Sequence, residues 1–551
     1  MKCLPFALVF SLLFACQSPV QYDRVLQDAL IYDGNGESPY RGDIGIQADT
    51  IAAIAEANTL KGKEVIAVNG LATAPGFINM LSWANIALLE DGRSQSDIRQ
   101  GVTLEILGEG RSMGPLNPEM KEEMRKGQGD IKFEINWTSL GEYLQYLEDK
   151  GVSTNVASFV GNGTLRRYAI GYENRPATTK EIEEMKRLTQ QAMEEGAVGI
   201  SSALLYAPSS YASTEELIAL AKEAARYDGM YISHIRDEGD GLLESLDEFI
   251  HIGKEANIRA EVYHLKASAK RNWAKLDTAI AKIDSARTAG LPITADVYTY
   301  NASSTGLHVQ LPNWAREGGI AAMLDRLSDA ENRKKAIAEL EFRNAPETIL
   351  LVGFRSQELR KYIGRYLPEV AEEWGRSPAE TLVDLILQDQ SRIQVVYFSM
   401  SEPNIQKKVA LPWVSFCSDA GSYTNEGVFI KQSTHPRAYG SFIRVLGKFS
   451  RDEGVLSLEE AIRKLTALPA DNLKLQKRGR LTVGHYADIV VFDPDQVRDK
   501  ATFTNPHQYA EGMWHVFVNG EQVLKDGDHT GATPGRFVKG PGFGKPLPDT
   551  K

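Results

Sequence analysis

The chain has 551 residues, of which 42% are hydrophobic and 25% are charged. This is the composition of an ordinary globular protein with enough length for a large core, and it excludes a small or intrinsically disordered protein. The formal net charge is -11, and no block of basic residues interrupts it. Because nucleic acids are polyanions, this charge excludes them as partners.

The first residues, MKCLPFALVFSLLFACQSP, combine a lysine at position 2 with an apolar run. The run is too short to span a bilayer and is typical of an export signal. Its end, LFAC, is similar to the lipobox of bacterial lipoproteins, in which the cysteine is lipidated. The alternative is an ordinary secretory signal in which Cys16 is incidental. We expect a lipoprotein signal peptide over residues 1–16 and an exported protein, periplasmic or anchored to the outer membrane through Cys16, with no other membrane contact.

Short β-type runs separated by turns occupy both ends of the remaining chain. One set lies in residues 22–74 and includes GDIGIQADTIAAIAE. The other lies in residues 475–540 and includes GRLTVGHYADIVVFD and VFVNGEQVLKDGDHTG, with a hairpin turn at Asn519-Gly520. Two such ends can form one sheet domain closed by both termini.

Between these ends, over residues 75–474, helical and strand patterns alternate. In segments such as STEELIALAKEAARYDGMYISHIRDEG, an amphipathic helix is followed by a short apolar strand that ends in polar residues. Repeated units of this kind form a parallel sheet, and so long a series predicts a barrel with its site at the strand carboxyl ends. Residues 306–394 break the rhythm, and we predict that they form an insertion over the mouth of the barrel.

The histidines give the sharpest indication of chemistry. His234 in MYISHIRDEGDG and His264 in AEVYHLKAS each end a β-type run, on successive units, and none of the nine histidines precedes position 234. A single histidine at a strand end is more often a structural hydrogen bonder than a ligand. Two of them at equivalent places favour a metal site.

A third element is PWVSFCSDAGSY, an apolar run that closes on Ser418-Asp419. An acid at the end of a late barrel strand can accept a proton from metal-activated water. The alternative is a helix N-cap, since Ser-Asp before a glycine-containing turn is a common cap. The spacing alone does not separate these two interpretations.

The chain resembles the N-acyl-D-amino-acid deacylases, or D-aminoacylases, of the amidohydrolase superfamily. The likeness runs over most of the chain and is carried by segments that include TAPGFIN, GISSALLYAP, HLKAS, SDAGS, THPRAYGSFIRVLGKF and EEAIRKLTALPADNLKL. It implies an α/β fold, a (β/α)8 TIM-type barrel over residues 75–474, with a small β-sandwich domain made from residues 22–74 and 475–540. It also implies a zinc site.

The resemblance assigns roles to individual residues. It implies that His234 and His264 bind zinc and that Asp419 acts first as base and then as acid. The positions that hold the substrate carboxylate and frame the pocket are matched by Lys266, Tyr298, Ser304 and Arg437. Arginine and lysine suit a carboxylate physically, the first by bidentate pairing and the second as a point charge.

The chain departs from the family at two metal-binding places. The family's His-x-His motif holds Leu81 and Trp83 here, and neither side chain can donate a lone pair to zinc. The family's cysteine ligand falls within one residue of Glu109, at the end of an apolar strand. A carboxylate with two histidines is an accepted catalytic zinc set, although Glu109 could also be a solvated loop charge. We therefore expect one zinc per chain, on Glu109 and the two histidines, with Trp83 as an apolar wall of the pocket.

Two functions from different classes remain open. The first is a zinc-dependent hydrolase that cleaves the amide C–N bond of N-acyl amino acids or a related small amide. The second is a catalytically inactive lipoprotein of the amidohydrolase fold that only binds. Retention of the charged site residues favours the enzyme, because buried charges cost desolvation free energy. Loss of the His-x-His motif favours the binding protein.

Overall fold

The protein is described by a computed structural model that covers residues 21–545. The signal peptide predicted over residues 1–16, with Cys16, lies outside this range and stays a prediction. Within residues 21–545, no helix combines the length and the apolar character needed to cross a membrane.

Strands from both ends of the chain share one sheet of nine strands. These strands are β1 (Gln21–Ile31), β2 (Tyr40–Gln47), β3 (Thr50–Ala55), β4 (Lys61–Ala67), β5 (Ala72–Pro75), β18 (Ile489–Phe492), β19 (Met513–Val518), β20 (Glu521–Lys525) and β21 (Asp528–His529). The two ends meet at β5, which pairs in parallel with β1 and antiparallel with β18. Strands β19 and β20 are joined by the predicted turn at Asn519-Gly520, where both residues have positive φ.

Parallel strands make up two further sheets. The first has three strands, β6 (Phe77–Asn79), β7 (Val102–Leu107) and β8 (Asn155–Ser158). The second has six, β9 (Val160–Gly161), β10 (Gly199–Ala203), β11 (Met230–His234), β12 (Arg259–Val262), β13 (Ile293–Val297) and β17 (Val414–Phe416). Almost every residue of these strands is buried, as expected where helices cover a parallel sheet.

The two parallel sheets approach each other on both sides. Strands β8 and β9 are separated along the chain by Phe159 alone. On the other side, Met80 N donates to Phe416 O at 3.2 Å, and Trp83 N donates to Ala420 O at 2.9 Å. The carboxyl ends of β6 and β17 are therefore joined by backbone hydrogen bonds.

Helices follow the strands in the order that the sequence pattern predicts. They are α1 (Ala87–Glu90), α2 (Gln95–Ile98), α3 (Pro118–Lys126), α4 (Leu140–Lys150), α5 (Asn162–Ala169), α6 (Thr179–Glu195), α7 (Thr214–Ala225), α8 (Leu242–Glu255), α9 (Lys275–Thr288), α10 (Asn313–Arg316), α11 (Gly319–Ser328), α12 (Ala330–Ala338), α13 (Leu367–Trp374), α14 (Pro378–Asp389), α15 (Glu402–Ala410), α16 (Arg437–Arg444), α17 (Leu458–Leu465) and α18 (Ala467–Asn472), with a π-helical turn at Val445–Asp452. Helix α6 shows how local sequence fixes the bounds. Thr178 and Glu181 form a capping box at its start, and Gly196 ends it in the left-handed region.

The predicted α/β class is confirmed.

The segment predicted as an insertion, residues 306–394, lies almost entirely within a separate packing unit. Its strands β14 (Ser303–Gly306), β15 (Ile349–Gly353) and β16 (Gln394–Tyr397) form a three-stranded antiparallel sheet. A hydrophobic cluster of its own, which includes Leu307, Ile349 and Leu382, packs this sheet against α11 to α14. This unit contacts the strand ends through the hydrogen bond between Thr305 Oγ1 and the Tyr206 hydroxyl, at 2.8 Å.

Candidate metal centre

Polar side chains follow four of the parallel strands at their carboxyl ends. They are Glu109 after β7, His234 at the end of β11, His264 after β12 and Asp419 after β17. His264 has φ of 36° and Asp419 has φ of 48°. Left-handed backbone at a residue other than glycine is uncommon and concentrates at functional sites. Two hydrogen bonds hold these turns, one from His264 N to Asp296 Oδ1 at 2.8 Å and one from Asp419 N to Leu81 O at 2.9 Å.

Glu109 and the two histidines form one compact group. Oε1 of Glu109 lies 3.0 Å from Nδ1 of His234 and 3.0 Å from Nε2 of His264. One ligand atom from each residue lies within 4.8 Å of the others, and all three side chains are buried. Glu109 is only 4% exposed, so it is not a solvated loop charge.

The arrangement fits a metal of zinc's size and preference. Ligands at about 2.0–2.2 Å from a tetrahedral zinc lie about 3.3–3.6 Å from one another, slightly farther apart than the 3.0 Å between Oε1 of Glu109 and each histidine nitrogen. Two imidazoles and one carboxylate form a three-ligand catalytic set that leaves a position open for water or substrate. Nε2 of His234 is buried without a hydrogen-bond partner among residues 21–545, and Nδ1, which faces Glu109, is the nitrogen placed to bind a metal.

Glu238 faces the other nitrogens of both rings. Its carboxylate lies 3.0 Å from Nδ1 of His264 and 3.6 Å from Nε2 of His234. With Nε2 of His264 directed at the metal position, Nδ1 faces both Glu238 Oε1 and, at 2.7 Å, the Nζ of Lys266. Outer carboxylates of this kind fix the tautomer and orientation of metal-binding histidines. The sequence analysis missed Glu238, although a carboxylate four residues after a strand-end histidine is a signal that could have found it.

The pKa values of Glu109 and His264 reflect the opposite charges packed around them. Burial by itself raises the pKa of Glu109, but hydrogen bonds and charges from His234 and His264 outweigh it and hold that pKa well below its usual range. Burial and the Lys266 charge lower the pKa of His264, but the nearby carboxylates of Glu238, Asp419 and Glu109 outweigh them and raise it to about 10. The carboxylates therefore stabilise positive charge between them, which a divalent metal supplies.

Asp419 is held from two sides. Nη1 of Arg437 lies 2.7 Å from its Oδ2, and the indole Nε1 of Trp83 donates to its Oδ1 at 3.2 Å. No helix begins at Asp419, and the next helical segment of the described chain starts at Gly427. The N-cap interpretation therefore does not match the local structure.

The four predicted substrate positions occupy different environments. Arg437 lies over the ring of Tyr298, with its guanidinium carbon 4.5 Å from the ring centre, and Arg437 Nη2 is 3.4 Å from the carbonyl oxygen of Ser304. Lys266 is already engaged, since its Nζ lies 2.6 Å from Glu238 Oε1 and 2.7 Å from His264 Nδ1. Ser304 Oγ donates to Val395 O at 2.8 Å. Tyr298 and Arg437 are therefore adjacent, Lys266 contacts His264 and Glu238, and Ser304 presents its backbone to the guanidinium.

Comparison with known proteins gives consistent matches. Residues 429–524 match the profile described as the Amidohydrolase family. The chain is 32% identical over 521 residues to D-aminoacylase of Alcaligenes xylosoxydans xylosoxydans, a match that covers 94% of this chain and 97% of that protein. A solved structure of D-aminoacylase, described as having a binuclear metal centre with one-metal activation and second-metal attenuation, superposes with a TM-score of 0.78 at 31% identity, over 94% of this chain and 100% of that one.

A second solved structure is an N-acyl-D-glutamate deacylase from Bordetella bronchiseptica in complex with zinc and a phosphonate inhibitor. It has a TM-score of 0.79 at 28% identity and covers 94% of this chain and 100% of its own. The metal-type donor set at the ends of parallel strands, together with these matches, defines an amidohydrolase. Within that class, the chain belongs to the D-aminoacylase family of N-acyl-D-amino-acid deacylases. The resemblance drawn from the sequence is confirmed.

Proposed function

We propose that the protein is a zinc-dependent hydrolase that cleaves the amide C–N bond of N-acyl-D-amino acids. Water is consumed, and the products are a carboxylic acid and a free amino acid. The observation that carries the proposal is the buried group of Glu109, His234 and His264, whose donor atoms all lie within 4.8 Å of one another. The same chemistry is supported by the names of the relatives, which are deacylases of N-acyl-D-amino acids.

Different residues carry out different parts of the reaction. Glu109, His234 and His264 would hold the zinc ion, which would act as a Lewis acid toward the water and the acyl group. Asp419 accepts a proton from the attacking water and delivers it to the leaving nitrogen as the C–N bond breaks. Glu238, whose carboxylate lies 3.0 Å from Nδ1 of His264, helps to orient that ring so that Nε2 faces the metal position.

The substrate carboxylate is assigned to Arg437 and Tyr298. Nε of Arg437 and the hydroxyl of Tyr298 are both buried, and neither has a hydrogen-bond partner in the described part of the chain. Buried donors without partners cost free energy, which a bound carboxylate recovers. A protein of net charge -11 binds a small anion only where cations are placed for it. Lys266 adds positive charge behind Tyr298, with its Nζ 5.7 Å from the ring centre.

The fold assigned here is a closed barrel of eight parallel strands. Its circuit runs through β6, β7, the joined pair β8 and β9, then β10, β11, β12, β13 and β17, and closes between β17 and β6. The hydrogen bonds from Met80 to Phe416 and from Trp83 to Ala420 support this closure. The nine strands from both ends of the chain form one sheet, to which we assign the small β domain predicted as a β-sandwich.

Replacing Arg437 by alanine tests the substrate class. For N-acyl-D-amino acids we expect kcat/KM to fall by well over tenfold, since losing one partner of a buried charged hydrogen bond costs about 2–5 kcal/mol. Arg437 also contacts Asp419, so its loss can lower activity on any substrate. The decisive measurement is therefore the ratio of kcat/KM for the acid to kcat/KM for the neutral amide. The preference for an N-acyl-D-amino acid over its neutral C-terminal amide should be large in the wild type and should collapse in Arg437→Ala.

Arg444→Ala is the matched control, since Arg444 lies on the same helix and pairs with Asp499 at 3.1 Å. It should retain the preference for the acid. Equal hydrolysis of acid and amide by the wild type would show that the substrate class is wrong. No hydrolysis of any N-acyl-D- or L-amino acid with zinc present would favour the inactive binding protein.

A further inference from the structure

Trp83 makes a polar contact that its sequence context does not suggest. It stands where the family has a metal-binding histidine, and 40% of the residue is exposed. Its indole Nε1 nevertheless donates to Oδ1 of Asp419 at 3.2 Å, across 336 positions of sequence. Its ring is therefore anchored by a carboxylate rather than free to turn in solvent.

The backbone of the same segment holds Asp419 as well. Leu81 O accepts from Asp419 N at 2.9 Å, and Trp83 N donates to Ala420 O at 2.9 Å. Ser82 and Ala420 also form a parallel β-bridge. Residues 81–83 and 419–420 therefore form a small unit in which the position of one segment sets the position of the other. The left-handed backbone of Asp419, with φ of 48°, is kept in place by these contacts.

The remaining freedom of Asp419 is rotation of its carboxylate. The terminal torsion of an aspartate is broad, so packing alone does not define the carboxylate plane. Trp83 donates a hydrogen bond to Oδ1, whereas Nη1 of Arg437 lies 2.7 Å from Oδ2 as an ion pair without hydrogen-bond geometry. The indole N–H is therefore the directional contact that defines the plane. Each carboxylate oxygen has a further lone pair available, so Asp419 can still accept a proton from water.

We infer that Trp83 is a positioning residue for Asp419. Its indole N–H orients the carboxylate for proton transfer, in the place where the family has a metal-binding histidine. This rests on the proposed function, in which Asp419 is the general acid–base. It differs from an apolar wall, because a wall needs the ring of Trp83 and a positioning role needs its N–H.

Two substitutions separate the N–H from the ring. Trp83→Phe keeps an aromatic ring and removes the donor. Trp83→Gln removes the ring and keeps an amide N–H the same number of bonds from Cα. We expect Trp83→Phe to lower kcat about tenfold or more with KM little changed, because a hydrogen bond to a charged group is lost. Trp83→Gln should retain more of kcat than Trp83→Phe.

Trp514→Phe is the control, since Trp514 is a similarly exposed tryptophan on β19 and should leave both constants unchanged. A higher kcat in Trp83→Phe than in Trp83→Gln contradicts the inference. If Trp83→Phe keeps full kcat while Trp83→Gln raises KM for substrates with large acyl groups, Trp83 is a wall only. Zinc content should be the same in all these variants.

A second measurement does not depend on activity. The chain has seven tryptophans, and with 15N-labelled tryptophan the indole signal lost in Trp83→Phe identifies Trp83. We expect this proton downfield, with an upfield shift in Asp419→Asn, while the Trp514 signal stays in place. A Trp83 signal that exchanges rapidly with water and does not respond to Asp419→Asn would overturn the inference. If the wild type hydrolyses no substrate, the proposed function fails, and this spectrum still decides the contact.

Discussion

Asp419→Asn is expected to lower kcat by about 10²-fold or more while the metal content stays the same. The amide has nearly the shape of the carboxylate but cannot accept and return a proton. The surroundings of the substituted side chain are known, because the two oxygens of Asp419 contact Trp83 and Arg437. The measurement combines steady-state kinetics on an N-acyl-D-amino acid with elemental analysis of the same preparation.

The control for this variant is Asp325→Asn, which changes an exposed aspartate of α11 and should have no effect on kcat. Unchanged turnover in Asp419→Asn would show that the residue has a structural role only. Loss of metal together with activity would show that Asp419 is a ligand.

Glu109→Gln is expected to weaken zinc binding by more than about 100-fold, beyond the 10–100-fold typical of an outer partner. The substitution keeps the size of the side chain but removes the negative charge that contacts both histidines at 3.0 Å. Glu238→Gln is the matched comparison, because Glu238 contacts the same two rings from the far side. It should weaken binding less than Glu109→Gln.

Competition with a chromophoric chelator measures both affinities, and thermal unfolding without metal checks that each variant is folded. A larger loss in Glu238→Gln would make Glu238 the ligand and Glu109 the outer residue. If zinc affinity fell only slightly and equally in both variants, the metal would bind elsewhere.

The metal group could be predicted from the sequence because it follows from strand geometry. His234 and His264 end strands of successive βα units, and parallel strands bring their carboxyl ends to one edge. Glu109 was predicted from the resemblance, because it lies within one residue of the family's cysteine ligand at the end of an apolar strand. The two histidine predictions need only the end of a strand to be located, which an apolar run supplies.

Other features depend on contacts that a local pattern does not contain. The sequence around Asp419 suits a cap and an acid equally, and the distinction comes from Trp83 and Arg437, which lie far away in the chain. Glu238 lies in a loop, and its proximity to both histidine rings results from the tertiary fold. Lys266 was predicted to bind substrate, but its ammonium lies 2.6 Å from Glu238, a partner that no motif indicates. That prediction stays open.

Titration of the metal-free protein with zinc, while hydrolysis of an N-acyl-D-amino acid is followed, tests the central claim most directly. We predict that the rate rises in proportion to zinc up to one equivalent per chain and then stays level. Glu109, His234 and His264 offer donor atoms for one ion, and Leu81 and Trp83 offer no lone pair for another. A maximum at two equivalents, or no hydrolysis at any zinc concentration, would contradict it.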